Sequence, residues 1–331
     1  MIRSHIVGTG FHVPARVVRN AELSALMETS DDWIRSRTGI EERRWISDGE
    51  TGLDLSESAA RKAIADAGLE PADIDAIVFA TSTPDHNAPG GGVFLQHRLG
   101  LGPIPAIDVR TQCSGFIYSL AVADAWVRVG LYRRILVVGC EIQSTGMDLS
   151  DEGRNVSVIF ADGAGAAVVG PSPNGEQGIL AFDLHGDGAY ARELWADAPC
   201  SYRHPRISHE DIEQGRQWLQ MNGREVFRHA VERMPESAGA ALAKAGLGFG
   251  DVDLLIPHQA NLRISEMIQR SLRLRNDQIY NNIQRYGNTT AATIPIALDE
   301  CRKEGRVKEG DIVVLTAFGS GFLWGSCVLR W

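Results

Sequence analysis

The sequence predicts an α/β protein made of two similar halves, each with a mostly parallel sheet, and two internal echoes carry that prediction. Residues 67–77 read AGLEPADIDAI and residues 245–255 read AGLGFGDVDLL, an ungapped match at an offset of 178 (67 to 245). Each copy ends an alanine-rich amphipathic stretch, turns through Asp-x-Asp, and enters an apolar run, IDAIVFATST (74–83) or VDLLIPHQ (252–259), of the length and composition of a buried strand. The second echo sets CSGFIYSLAVADAWVRVG, beginning at Cys113, against NTTAATIPIALDECRKEG, beginning at Asn288, and places Gly130 on Gly305 at the same offset of 175 (113 to 288). A further strand follows each glycine, ILVVG (135–139) and DIVVLTAF (311–318). Two matches in the same order point to duplication, with the turn-rich stretch PSPNGEQG (171–178) at the junction. The halves are therefore drawn as residues 1–172 and 173–331.

The overall composition agrees. The chain has 331 residues, 44% hydrophobic and 23% charged, ordinary for a globular protein with substantial cores. Its 35 glycines sit often at the ends of apolar runs, where tight strand-to-helix turns need them. A net charge of −9 argues against a general nucleic-acid partner. No apolar stretch is long enough to span a bilayer, and MIRSHIVGTG is not patterned as a signal peptide. The five cysteines form no CxxC pair, which fits a reducing compartment without zinc or a disulfide framework. A cytoplasmic location is expected. Residues 186–222 have weak periodicity and are read as an insertion packed over a site, and residues 83–92, TPDHNAPGGG, as a second loop of interest.

Cys113 stands where the strand PAIDVR gives way to a helix. The positive end of the helix macrodipole and free backbone N–H groups at that point are expected to lower the thiol pKa and favour a nucleophilic thiolate. His258 follows a strand end marked by Pro257, on the side where open α/β sheets gather ligands. Asn288 is placed at the start of a helix. Taken singly, these read rather as a buried small hydrophobe, a structural imidazole and an N-cap. Taken together they read as more. Cys113 and Asn288 are matched positions of the two halves, so a pseudo-twofold packing brings a thiol, an amide and the imidazole into one cleft.

The motifs SDDWIRSRTGI (30–40), QCSGFIYSL (112–120), FADGAGA (160–166), PHQANLRI (257–264), YGNTTAATIP (286–295) and FGSGFLWGS (318–326) resemble the 3-oxoacyl-ACP synthase III family nearly end to end. That resemblance implies a thiolase-like five-layer αβαβα fold and a homodimer. It implies a decarboxylating condensation that initiates fatty-acid synthesis: Cys113 takes an acyl group from acyl-CoA, and malonyl-ACP loses CO2 and attacks it to give 3-oxoacyl-ACP. No metal or redox cofactor is expected, acyl-CoA and malonyl-ACP (acyl carrier protein) being substrates. His258 and Asn288 are expected to donate to the enolate oxygen, and the backbone N–H groups of Cys113 and Ser320 to form the oxyanion hole. Trp33, Arg37, Arg154 and Asn261 match the CoA-binding positions, and Arg228, Arg263 and Arg270 match a basic face for the acidic carrier protein.

Some positions depart from the family's usual pattern. Ser114 follows the nucleophile, Ser320 interrupts a glycine triplet and is a candidate for an unusual φ, and Arg154 stands in RNVS. Ala88 stands where the family often has a phenylalanine that reaches into the partner subunit's acyl pocket, which predicts a wider pocket and acyl groups longer than acetyl. These departures resemble homologues of secondary metabolism, including alkylquinolone-pathway synthases. A specialised condensing enzyme, or an acyltransferase working without decarboxylation, that takes a medium-chain or aryl starter is thus the alternative, and a non-catalytic ketosynthase partner subunit is a more distant one.

Overall fold

A computed structural model describes residues 2–331. The first sheet is built from β1 (Ser4–His12), β2 (Ala76–Ala80), β3 (Ala106–Val109), β4 (Ile135–Glu141) and β5 (Gly163–Pro171), in the order β1-β5-β4-β2-β3. The second is built from β6 (Gly178–Gly186), β7 (Leu254–Pro257), β8 (Ile312–Gly319) and β9 (Leu323–Arg330), in the order β6-β9-β8-β7. The main helices are α1 (Asp31–Thr38), α2 (Gly52–Asp66), α3 (Gly91–Arg98), α4 (Gly115–Arg128), α5 (Gly223–Lys244), α6 (Leu262–Ser271) and α7 (Thr293–Lys303).

Side-chain alternation along the strands creates the layers. Val78, Val137, Ile256, Val313 and Leu315 share one core with Phe116, Ile117 and Leu120 of α4 and Ile294 and Leu298 of α7, so these two helices lie between the sheets. The opposite faces of the same strands, Ile77, Phe79, Leu136 and Val138, pack on α2 and α3. Leu255 and Val314 pack on α5 and α6. The result is the five-layer αβαβα stack. Because both faces of the central strands are covered, β2, β4 and β8 are buried along their whole length.

The two sheets have one plan. Running β1-β5-β4-β2-β3 against β6-β9-β8-β7 leaves β3 to be matched, and the isolated parallel bridge Leu255↔Ile279 stands where β2 and β3 pair at Ile77↔Ala106. The expectation of mostly parallel sheets is corrected. Parallel pairing is confined to β2 with β3 and β4, and β7 with β8. β5 and β9 run against both of their neighbours. For β9 the cause is local, since the short turn after Gly319 returns the chain directly alongside β8.

The matched position of Cys113 is also corrected. The turn Gln112–Ser114 corresponds to the turn Thr290–Ala292, and the residues with positive φ, Gln112 (45°) and Thr290 (51°), keep the offset of 178. Cys113 therefore pairs with Ala291, not with Asn288. The helix α7 has 11 residues against 14 in α4, so the three-residue difference falls inside the helix and shifts only the residues beyond it, including Gly130 and Gly305. None of the described helices is long and apolar enough to cross a membrane.

Candidate active site

Cys113 sits in the turn between β3 and α4 and is buried at 6% exposure. Burial pushes its thiol up to about 12 and the charge of Glu141 adds to this, while the backbone N–H groups of Cys113 and Ser320 hydrogen-bond toward the sulfur and oppose it. The lowered thiol pKa expected from the helix start is thus corrected: desolvation outweighs the local dipoles. The N–H groups of Cys113 and Ser320 nevertheless both reach the reacting sulfur. Gly319 makes this approach possible, since a Cβ there would lie 2.6 Å from Cys113 Cβ and 2.9 Å from Sγ.

Ser320 keeps an ordinary backbone. Gly321 takes the unusual conformation, with φ of 138°, and Gln112, Arg273 and Thr290 are the positive-φ residues other than glycine among the described residues. The Ser320 hydroxyl donates to the carbonyl of Leu194, tying the short ribbon Leu194–Trp195 with Gln220–Met221 to the oxyanion turn. The segment 186–222 therefore packs over the site as its irregular sequence predicted.

His258 extends the β7 ladder by donating its backbone N–H to Thr316 O at 2.8 Å. Its ring is 2% exposed, and burial lowers its pKa to about 3, so the imidazole is neutral. Nδ1 lies 2.7 Å from Thr293 Oγ1, whose own proton is directed at Thr290 O at 3.0 Å. The Thr293 oxygen therefore accepts from Nδ1–H, which leaves Nε2 as a bare lone pair without a partner among the described residues. Thr293, which no sequence pattern marked, fixes the tautomer.

Asn288 is neither helical nor an N-cap, since α7 begins at Thr293. Its Oδ1 accepts from Thr290 N at 2.8 Å, which fixes the amide and leaves Nδ2 as the free donor end. Its backbone is held on both sides: Asn288 N donates to Ile159 O, and Ala161 N donates to Asn288 O, each at 2.9 Å. The FADGAGA segment thereby acquires a positioning role.

Cys113, His258, Asn288, Phe318 and Gly319 line one cavity of about 480 Å³. The exposed side chains of Arg37, Arg224 and Arg263 line it as well, with Trp33 and Asn261 and without any Asp or Glu. Arg37 stands 4.4 Å and Arg154 5.0 Å from the Trp33 ring centroid. The helix α1 presents Trp33 and Arg37 between two caps: Ser30, whose Oγ accepts from Trp33 N at 3.1 Å, and Gly39 at φ of 79°. Asn261 caps α6 by accepting from Arg263 N at 2.9 Å and donates to Arg37 O at 2.9 Å, so it clamps α1 to α6. Arg224, in the first turn of α5, lies outside the six motifs that carried the resemblance.

The basic residues of the carrier face separate. Arg263 lines the cavity, 5.6 Å from the Phe227 ring centroid. Arg228 is paired with Glu225 at 2.6 Å, and Arg270 reaches into solvent with Glu266 at 4.0 Å. Ala88 is exposed on the loop 83–92, and its neighbour Asn87 lines a second cavity. This second cavity, about 680 Å³, reaches Cys113 from another side and is lined by Gln112, Thr290, Ser320 and the 186–222 segment.

Residues 107–188 match the 3-oxoacyl-(acyl-carrier-protein) synthase III family, and residues 242–331 match its C-terminal part. The chain is 46% identical to the beta-ketoacyl-(acyl-carrier-protein) synthase III of Cereibacter sphaeroides over 100% of this chain and 99% of that protein. Solved structures of 3-oxoacyl-(acyl-carrier-protein) synthase III from Aquifex aeolicus VF5 (TM-score 0.91, 39% identity, 99% of this chain and 100% of that one) and beta-ketoacyl-(acyl-carrier-protein) synthase III from Thermus thermophilus (TM-score 0.91, 41% identity, 99% of each chain) share its fold.

Proposed function

This chain belongs to the 3-oxoacyl-(acyl-carrier-protein) synthase III family and is an acyltransferase-type condensing enzyme that initiates fatty-acid synthesis, and we propose that Cys113, His258 and Asn288 divide its two half-reactions between them. The observation that carries this assignment is their convergence, with Gly319, on one cavity whose remaining wall bears three arginines, a tryptophan and no carboxylate. Such a wall suits the phosphates and adenine of CoA, and the pantetheine of a carrier protein, in a chain whose net charge is −9.

In the first half-reaction Nε2 of His258 takes the thiol proton as sulfur attacks the acyl-CoA carbonyl. The N–H groups of Cys113 and Ser320 hold the oxyanion, and CoA departs as its thiolate. In the second, Asn288 Nδ2 and the protonated Nε2 donate to the malonyl thioester oxygen while CO2 leaves. The resulting carbanion attacks the acyl group, and the Cys113 sulfur recovers the proton from His258. Oxyanion and enolate donors of this kind contribute roughly 3–4 kcal/mol each to transition-state stabilisation.

A homodimer belongs to the same reading. Among the described residues the edge strand β3 has no partner on its outer side, Ile107 on it is 37% exposed, and the exposed loop carrying Ala88 lies beside it. Sedimentation is expected to give twice the chain mass.

The test is the separation of half-reactions. Cys113→Ala should form no acyl-enzyme and, with Asn288 Nδ2 as the remaining enolate donor, should decarboxylate malonyl-ACP more slowly than the wild type. His258→Ala and Asn288→Ala should acylate Cys113, the former slowly, and lose decarboxylation and condensation. Condensation at the wild-type rate by His258→Ala refutes the division of roles.

A further inference from the structure

The second cavity has a character that the sequence did not announce. A pocket widened only by Ala88 would be an apolar tunnel for a longer alkyl chain. This one is bordered instead by the guanidinium-bearing residues Arg110 and Arg206, with Asn87, Gln112 and Gln217 among its other polar walls. The ionisable side chains lining it are Arg110, Arg206, Cys113 and Cys200, and none is acidic. Arg203 and Arg216, from the same segment as Arg206, are both bound to Asp211 at 3.0 Å. Arg110 and Arg206 have no carboxylate within ion-pair distance among the described residues. Glu141 lies behind the wall rather than in it, its oxygens occupied by donors from Ser82 and Thr83.

The placement is as informative as the charge. Arg110 precedes Cys113 by three residues, on the bend from β3 into the nucleophile turn, and both border the same space. Arg206 comes from the opposite side, on the segment that Ser320 ties to the oxyanion turn. The apolar residues Pro84, Phe160 and Trp195 line the same cavity and can cover a short methylene chain. An acyl group on Cys113 whose far end carried a carboxylate would find methylene contacts along its length and planar, fork-shaped donors at its end.

We propose that the starter site of this enzyme takes the monothioester of a short dicarboxylic acid, its free carboxylate held by Arg110 and Arg206. This rests on the reading that Cys113 carries the starter. The covalent step is an ordinary transthioesterification: the Cys113 sulfur–carbon bond forms as the CoA sulfur–carbon bond breaks, the electron pair leaves with the CoA sulfur, the thiol proton passes to His258, and no oxidant or reductant takes part.

The experiment is acylation of the purified enzyme followed by intact-protein mass spectrometry, with succinyl-CoA and glutaryl-CoA compared with butyryl-CoA and valeryl-CoA. The expected result is that one of the two anionic thioesters acylates Cys113 about tenfold faster than its neutral counterpart. Arg110→Met and Arg206→Met should each remove most of that preference while leaving the butyryl rate unchanged. Both side chains are exposed, so the variants should fold, and an unchanged butyryl rate shows that they have. Faster acylation by butyryl-CoA and valeryl-CoA, or a preference for the anionic thioesters that survives both substitutions, overturns the proposal while leaving the acyl-Cys113 reading intact. No adduct with any of the four overturns both.

Discussion

Replacing Gly319 with alanine places one methyl group against the nucleophile. The added Cβ would lie 2.6 Å from Cys113 Cβ, 2.9 Å from Sγ and 3.2 Å from Cys113 N. Carbon atoms in ordinary contact are about 3.5 Å apart or more, so the sulfur or the turn bearing Ser320 must retreat by roughly 1 Å. Neither can retreat without separating the thiol from the N–H groups of Cys113 and Ser320. A displacement of that size costs about 10²-fold in rate, or about 3 kcal/mol in the transition state. The residue itself has no backbone need for glycine, because its φ is not positive. The fold should therefore lose only the overpacking cost, about 1–3 kcal/mol. Stopped acylation reactions read by intact mass give the rate of Cys113 modification, and a melting curve gives the stability. Acylation of Gly319→Ala at the wild-type rate would show that Cys113 does not react from the position seen here.

Thr293→Val strands the Nδ1–H of His258 in a buried site, which should cost about 1–3 kcal/mol of stability and slow condensation more than acylation; Thr293→Ser should restore both. Rates matching wild type in Thr293→Val would exclude Thr293 as the group that sets the tautomer. Burial raises Glu141 to about 7, above its ordinary value of 4.5, so the folded chain holds that proton more tightly than the unfolded chain and loses stability as pH rises through this window. Glu141→Gln should abolish that loss, about 3 kcal/mol across the window, and parallel urea stabilities of variant and wild type at pH 4.5 and pH 8 would contradict it. Arg270→Glu, outside the cavity that Cys113 and Arg263 line, should slow discharge onto malonyl-ACP in a salt-dependent way and leave acylation unchanged, whereas Arg263→Glu should slow both. Equal effects of Arg270→Glu on the two half-reactions would remove it from the carrier face.

What was legible in the sequence were the features that local physics states aloud. The runs AIVFA and LLIP are apolar at every position, and a strand buried on both faces reads that way. The Asp-x-Asp turns of the two halves fold into like 3-10 turns, Pro71–Asp73 and Phe249–Asp251, at the predicted offset. Strand direction was not legible, because GAGAAVVGP and LWGSCVLR carry no signal that distinguishes a parallel from an antiparallel neighbour. The mispairing of Cys113 with Asn288 arose from a three-residue deletion inside α7, where helical periodicity hides the gap. Thr293 and Gly319 act through a single contact each, and only the packed structure shows whom they touch. The state of the thiol depends on burial by residues more than 200 positions away, such as Gly319, and no pattern around residue 113 reports that.

The most direct measurement is the mass of the intact protein through one catalytic cycle. With acyl-CoA alone, the wild-type chain should gain a single acyl mass, located on Cys113 after digestion. Malonyl-ACP should then remove that mass while releasing one CO2 and forming one 3-oxoacyl-ACP for each acyl group lost. An adduct on another residue, or product formed at the wild-type rate by Cys113→Ala, would contradict the central claim that Cys113 carries the acyl group through the reaction.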